Sequence, residues 1–354
     1  MKMATSTLRT LSVTMQRPSA FFIARMHGTK WIALSFLSVF AICAIVHLQN
    51  VASAQVIEQP GSGPGEEYTF KMNANMVVLN ATVLNRHHAL VSGLGKEDFL
   101  IYEDGVLQQT KAFIHEDIPV TAGILVDSSG SMGPKRNDVI TAALAFARSS
   151  NPQDQMFVVT FNDNVFFGLP EDTPFTDRRE QLQRAFAEIK TAGQTSLYDG
   201  IAVALDHLKL GNRDKKVLLL ISDGGDTASK HSLSQVIEMA KQSNAIIYAI
   251  GIFDEDDGDQ NPSVLSRFAK ETGGEVFYPK SSQDVTSICE VIARDIRNQY
   301  TLTYIPTIPS QDGSYRAIEV KARARGQGYL FVRTRAGYTV PRAVPSDKSK
   351  GARP

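Results

Sequence analysis

Between residues 120 and 298, uninterrupted apolar runs take turns with segments whose apolar residues recur at helical spacing, and this alternation limits the possible folds more than any other feature of the chain. The runs are 122–126, 156–161, 217–221 and 245–252. A strand with one face in water alternates apolar and polar residues, whereas a strand covered on both faces does not. These runs therefore predict parallel strands buried between helices. Ile140, Ala143, Leu144 and Ala147 mark one helix face, and Leu197, Ile201, Ala204, Leu205 and Leu208 mark another. Val285, Ile288, Ile292 and Ile296 predict a closing helix. The pattern implies an α/β domain over 119–298, a doubly wound, mostly parallel sheet with helices on both faces.

The flanks read differently. Over 68–118 the sequence shows short strand-like runs at 77–84, 99–103 and 106–113, with Asp104-Gly105 as a hairpin turn between the last two and no helical periodicity. Over 299–340 alternation returns: Tyr300, Leu302 and Tyr304 share a face, and Ile318, Val320 and Ala322 oppose Glu319, Lys321 and Arg323. Asp312-Gly313 between them reads as a second hairpin turn. This later segment is too short for a core of its own. It is expected to pack on the 68–118 sheet as a small β-sandwich-like domain bracketing the α/β domain. Residues 341–354, rich in Lys, Pro and Ser, are expected to be a disordered tail.

At the other end, 31–46 is an unbroken apolar run of about sixteen residues, preceded by Arg25, His27 and Lys30 and followed by Ala52-Ser53-Ala54. A membrane-spanning helix needs roughly 20 residues, so 1–54 is expected to be a cleaved secretory signal rather than a retained anchor. Met15 and Met26 are alternative starts that would give a signal of ordinary length. Residues 55–67, including Gly61-Ser62-Gly63-Pro64-Gly65, read as a flexible linker, since no buried strand precedes the glycines. The expected location is outside the cytoplasm: periplasmic, in the cell envelope or secreted. Lys plus Arg and Asp plus Glu are equal at 37 each, so no net field favours nucleic acid, and membrane contact is expected only through an uncleaved N-terminal segment. Of the two cysteines, Cys43 lies in the expected leader, leaving Cys289 as a buried, inert thiol in a helical pattern.

Ligands of open α/β sheets bind beyond the carboxyl ends of the strands. The first apolar run ends in Asp127-Ser128-Ser129-Gly130-Ser131-Met132-Gly133, and the run at 217–221 ends in Ser222-Asp223-Gly224-Gly225-Asp226. Between them lies Gly193-Gln194-Thr195-Ser196-Leu197-Tyr198-Asp199, a loop expected to cap the helix after it. Carboxylates and hydroxyls without His or Cys form an oxygen-only donor set suited to Mg²⁺, with Mn²⁺ or Ca²⁺ as alternatives, and unsuited to Zn²⁺ or copper. Two carboxylates leave part of the shell to water or to a partner's acid.

The Asp-x-Ser-x-Ser turn, the Gly-x-Thr-x-Leu-Tyr-Asp segment and the Ser-Asp-Gly loop resemble the metal-ion-dependent adhesion site of von Willebrand factor type A domains. The resemblance implies Ser129, Ser131 and Thr195 as hydroxyl ligands, with Asp127 and Asp223 as carboxylates acting directly or through bound water. In the flanks, Leu94-Gly95-Lys96-Glu97-Asp98-Phe99, Tyr102-Glu103-Asp104-Gly105, Gln299-Tyr300 and Arg335-Ala336-Gly337-Tyr338 resemble the acidobacterial VWFA-related family, which has no agreed substrate. The implied role is a binding or adhesion module whose divalent cation captures a Glu or Asp side chain of a protein partner. Two alternatives stand beside it: a structural component of an envelope assembly with a fold-stabilising metal, and a metal-dependent hydrolase.

Other features carry blander expectations. Asp226 reads as solvated, with a place behind the metal ligands as the alternative, and Asp199 as a residue that caps or hydrogen-bonds locally near the start of its helix. The acidic run at 254–259 reads as a solvated loop, and it lacks the spacing of an EF-hand calcium loop. His87-His88 reads as a solvated turn. No Gly-x-Ser-x-Gly elbow or His-Glu-x-x-His pair is present, so a binding role is expected over an enzymatic one.

Overall fold

The first strand, β1 (Val77–Leu84), turns Val77, Leu79, Ala81 and Val83 into a core and leaves Val78 exposed. The structure is a computed structural model describing residues 76–253 and 258–342, all in one compact unit. The expected leader (1–54), the linker (55–67), residues 254–257 of the acidic run and the tail from 343 onward lie outside the described residues. A 3-10 turn at Lys96–Asp98 leads into β2 (Phe99–Glu103), which alternates in its turn and buries Phe99, Ile101 and Glu103. Asp104 and Gly105, at φ 48° and 78°, close the tight hairpin to β3 (Val106–Gln108). The single strand expected over 106–113 is in fact two. β3 ends at Gln108 and β4 (Thr110–Ile114) runs in a different sheet. The Gln108 side chain holds this corner, donating to Val106 O and Thr307 Oγ1 and accepting from Thr307 N.

The chain then enters the α/β domain with β5 (Val120–Asp127), all of whose residues are buried, as expected for a strand covered on both faces. Next come α1 (Arg136–Ser149), β6 (Gln155–Phe161), β7 (Val165–Phe167), α2 (Arg179–Ala187) and α3 (Leu197–Leu208). β8 (Lys215–Ser222), α4 (Leu233–Ser243), β9 (Ile246–Gly251), α5 (Pro262–Thr272), β10 (Val276–Phe277) and α6 (Ser282–Arg297) complete it. The sheet order is β10-β9-β8-β5-β6-β7, parallel except for β7, which runs antiparallel to β6 at one edge. Local signals set several helix ends. Ser232 and Gln235 exchange bonds as a capping box at the start of α4, while Pro262 opens α5 and Gly273, at φ 83°, closes it. Strand order reverses at β5, with β6 on one side and β8 on the other. That switch point is where an open α/β sheet forms its ligand crevice.

The last strands are β11 (Tyr300–Tyr304), β12 (Tyr315–Ala322), β13 (Phe331–Arg333) and β14 (Gly337–Thr339). They interleave with the first four as two antiparallel sheets, β13-β1-β11-β4 and β14-β12-β2-β3. The expected hairpin at Asp312-Gly313 does not form. Gly313 turns the chain at φ 76°, but β11 and β12 belong to different sheets, each pairing with an N-terminal strand. Pairing across the termini satisfies both strands and also closes a shared core of Leu79, Phe99, Ile101, Tyr300, Leu302 and Tyr304. The molecule is thus a doubly wound, mostly parallel α/β domain flanked by a small sandwich built from N- and C-terminal segments. Among the described residues, no helix is long and apolar enough to cross a membrane.

Candidate metal centre

Asp127 is the last residue of β5, and the next residues turn sharply at the switch point. Ser128 anchors the turn by donating both its N–H (2.8 Å) and its Oγ (2.9 Å) to Phe161 O at the end of β6. The Ser129 N–H donates to Asp127 Oδ1 at 3.0 Å, and Ser129 Oγ lies 3.2 Å from Ser131 Oγ. Ser131 Oγ donates to Asp223 Oδ2 at 3.0 Å, tying the β5 loop to the loop after β8. The return link is Ser222 Oγ, which donates to Asp127 Oδ2 at 2.7 Å and accepts from Gly224 N at 2.9 Å. Gly224 sits at φ 83°, where a β-carbon would strike Asn261 O, so a side chain there would displace the loop that carries Asp223.

The third loop is pinned from both sides. Gly193 O accepts from Gly130 N, and Ala192 N donates to Ser128 O, each at 3.0 Å. On the far side, Thr195 N donates to Thr227 Oγ1, and Thr195 O accepts from Thr227 N and Ala228 N. Thr195 therefore lies between the β5 loop and the β8 loop. Gly193, at φ 79°, is required by its close approach to Asp163, whose carboxylate accepts from Gln194 N.

The cap of α3 differs from expectation. Ser196 precedes the helix but directs its Oγ to Asn162 O. The orphan N–H groups of the first turn are met from the β8 loop: Asp226 Oδ1 accepts from Tyr198 N and Ser229 Oγ accepts from Asp199 N, each at 3.1 Å. Asp226 is thus a remote cap rather than a solvated acid. Asp199, in turn, does not cap its own helix; it accepts from Lys230 N, His231 N and His231 Nδ1 and holds the loop that caps it.

Electrostatics mark the centre. Asp127 is fully buried and Asp223 nearly so. Burial pushes the Asp127 carboxyl up to about 6; the neighbouring Asp223 charge adds to the rise, while bonds from Ser129 and Ser222 oppose it. Lys135, also buried, brings its Nζ to 3.6 Å from Asp223 Oδ2. Ser131 is the partly open member, so access is from its side. Among the described residues, no three His, Cys, Asp or Glu side chains gather into a metal-binding group. The donors gathered at this edge are instead two buried carboxylates and the hydroxyls of Ser129 and Ser131, with Thr195 beside them. Two buried acids, with the Asp223 charge adding to the rise at Asp127 and hydroxyls linking the two, are chemically suited to a hard divalent cation. Sequence reasoning assigned no role to Ser222 or Lys135. Ser222 carried a signal in its place next to Asp223, whereas Lys135 approaches the site only through the turn into α1.

Residues 123–291 match the von Willebrand factor type A domain. The chain carries a von Willebrand factor type A domain. Comparison with curated proteins found no match. Among solved structures, a von Willebrand factor type A protein from Catenulispora acidiphila is 13% identical, with 78% of this chain and 76% of that one covered and a TM-score of 0.46. The von Willebrand factor domain of the type V pili tip protein Mfa5 from Porphyromonas gingivalis is 13% identical over 52% of this chain and 97% of that one (TM-score 0.40). An aerotolerance-related membrane protein from Bacteroides fragilis is 16% identical over 50% and 98% (TM-score 0.41). The matched span of the type A domain runs from within β5 into α6 and contains all three loops of the centre.

Proposed function

We propose that this chain is an exported binding module in which a divalent cation, Mg²⁺ by preference, is held by Asp127, Ser129, Ser131, Thr195 and Asp223 and captures a Glu or Asp side chain of a protein partner. The observation that carries the reading is the convergence of three loops at the sheet's switch point, which gathers buried carboxylates and hydroxyls and leaves Ser131 partly open. The cation would supply a positive centre there, and neutral hydroxyl donors would leave it electrophilic enough to accept an acid from outside. The chain's own part is to fix the donors. Ser222 orients Asp127, the Ser131 bond orients Asp223, and the bonds from Thr227 and Ala228 hold the Thr195 loop.

Binding is favoured over catalysis by the partners of the serines. Ser131 donates to a carboxylate and Ser129 pairs with Ser131, whereas nucleophilic activation needs a base such as His within reach. The two histidines bonded elsewhere in this domain are His207, at Pro174 O, and His231, at Asp199. The deciding experiment combines Mn²⁺ titration of wild type and Asp127→Ala with affinity capture from the source cell's envelope in Mg²⁺ and in chelator. Saturable Mn²⁺ binding that Asp127→Ala abolishes, with capture lost in chelator, is expected. If chelator lowers the melting temperature but capture persists, the metal is structural and the binding reading falls.

A further inference from the structure

Lys135 stands at the entry to α1, and its backbone is fixed there. Its N–H donates to Met132 O at 3.1 Å, and its carbonyl accepts from Asp138 N and Val139 N at 2.9 and 3.1 Å. The side chain has little freedom, being only 6% exposed, and it runs inward to bring Nζ to 3.6 Å from Asp223 Oδ2. The same carboxylate oxygen accepts the Ser131 hydroxyl at 3.0 Å. An ammonium thus shares an oxygen of one expected cation ligand. Buried charges persist only where they are paired, and this one offsets half of the charge that Asp127 and Asp223 place at the centre.

We propose that Lys135 is an affinity-setting residue of the centre, a resident positive charge on Asp223 that weakens divalent-cation binding and leaves the loaded site net positive toward an acidic ligand. The proposal rests on the metal-binding reading of the same site. With both acids ionised, the two carboxylates and one ammonium sum to a single negative charge, so a bound divalent cation leaves a net charge of plus one rather than zero. The cation is repelled by the ammonium, and at short range in a protein interior this repulsion exceeds a tenfold effect on affinity. An incoming Glu or Asp side chain gains what the cation loses, because it meets a centre that its own charge can neutralise. The competing account is that the Lys135 stem only fills space under the loop. Changing charge and volume separately distinguishes the two.

The test is Mn²⁺ affinity of the full chain, measured by titration on wild type, Lys135→Met, Lys135→Gln and Lys135→Arg, with thermal melts in chelator to verify folding. Lys135→Met keeps the stem and removes the charge, and Lys135→Gln is the second neutral variant should the first not fold. At least about tenfold tighter Mn²⁺ binding by the neutral variants, with Lys135→Arg near wild type, is expected. Unchanged or weaker binding by a folded neutral variant, beside normal binding by wild type, overturns the role of Lys135. No Mn²⁺ binding by wild type or by any variant overturns instead the metal reading on which it stands.

Discussion

Ser222 shows how much of the centre depends on one hydroxyl. Its Oγ is the donor to Asp127 Oδ2 and the acceptor for Gly224 N, so it joins the end of β5 to the turn that carries Asp223. Replacing Ser222 with Ala leaves a buried carboxylate oxygen and a buried N–H without this partner, at a cost of about 2 kcal/mol in urea unfolding. Mn²⁺ binding should weaken as well, because Asp127 loses its orientation; unchanged affinity would show that Ser129 alone fixes the carboxylate. Cys289 is the opposite case. It is fully buried, donates to Ala142 O at 3.2 Å, and burial pushes its thiol up to about 12. Thiol reagents are expected to leave it unmodified in the folded protein.

The informative element is α3, whose amphipathic face was legible in Leu197, Ile201, Ala204, Leu205 and Leu208, all buried as the spacing implies. Its cap was not legible, since helix capping is usually read from the residues just before the helix, and here Ser196 is engaged elsewhere. Asp226 and Ser229 reach α3 only because β8 ends beside it. Asp226→Ala should therefore destabilise the protein by about 1 kcal/mol and speed amide exchange at Tyr198 and Asp199. Unaltered exchange there, measured by hydrogen–deuterium exchange, would count against the remote cap. The same contacts bear on the centre, because the loop that caps α3 also holds Thr195 through Thr227 and Ala228.

Across the molecule, the join between the α/β domain and the sandwich is polar and buried. Asp295 on α6 accepts from Thr82 Oγ1 on β1 (2.6 Å) and Tyr248 OH on β9 (2.8 Å) and pairs with Arg333 on β13, which also pairs with Glu275. Removing Asp295 leaves Arg333 paired with Glu275 alone and takes the acceptor from Thr82 and Tyr248, so Asp295→Ala should cost about 3 kcal/mol, whereas Thr82→Val, which keeps the ion pair, should cost about 1. Equal losses would mean that the ion pair contributes nothing beyond the hydroxyl bond. A second long-range contact links Lys215 Nζ, at the start of β8, to Ile296 O near the end of α6 at 2.9 Å. Burial lowers the Lys215 ammonium to about 8, with Asp295, Asp117 and Asp154 opposing the shift. The folded protein then binds fewer protons at this site than the unfolded chain between about pH 8 and about pH 10.5. The cost of burying the charged Lys215 is therefore present in full below that window, and stability rises with pH across it. Relative to Lys215→Met, wild type should gain about 2 kcal/mol between about pH 7.5 and about pH 9.5 in urea unfolding.

Local physics was enough for the periodicities: runs such as 217–221, short and apolar without alternation, read as strands covered on both faces, and the Asp-x-Ser-x-Ser turn at the end of one of them placed acid and hydroxyls at a strand terminus. The Asp104-Gly105 hairpin was equally legible, because residues in sequence contact meet in space. Asp312-Gly313 carries the same dipeptide yet joins two sheets, since β11 and β12 find better partners in β1 and β2 far away in the chain. The same holds at the centre. Asp127, Ser129, Ser131, Thr195 and Asp223 could be named from their motifs, but the Ser222 bond, the Asp226 cap and the Lys135 approach to Asp223 arise only when separate strands end side by side. Hydrogen bonds and charge pairs act over a few ångströms, so tertiary structure alone decides which distant residues come within that range.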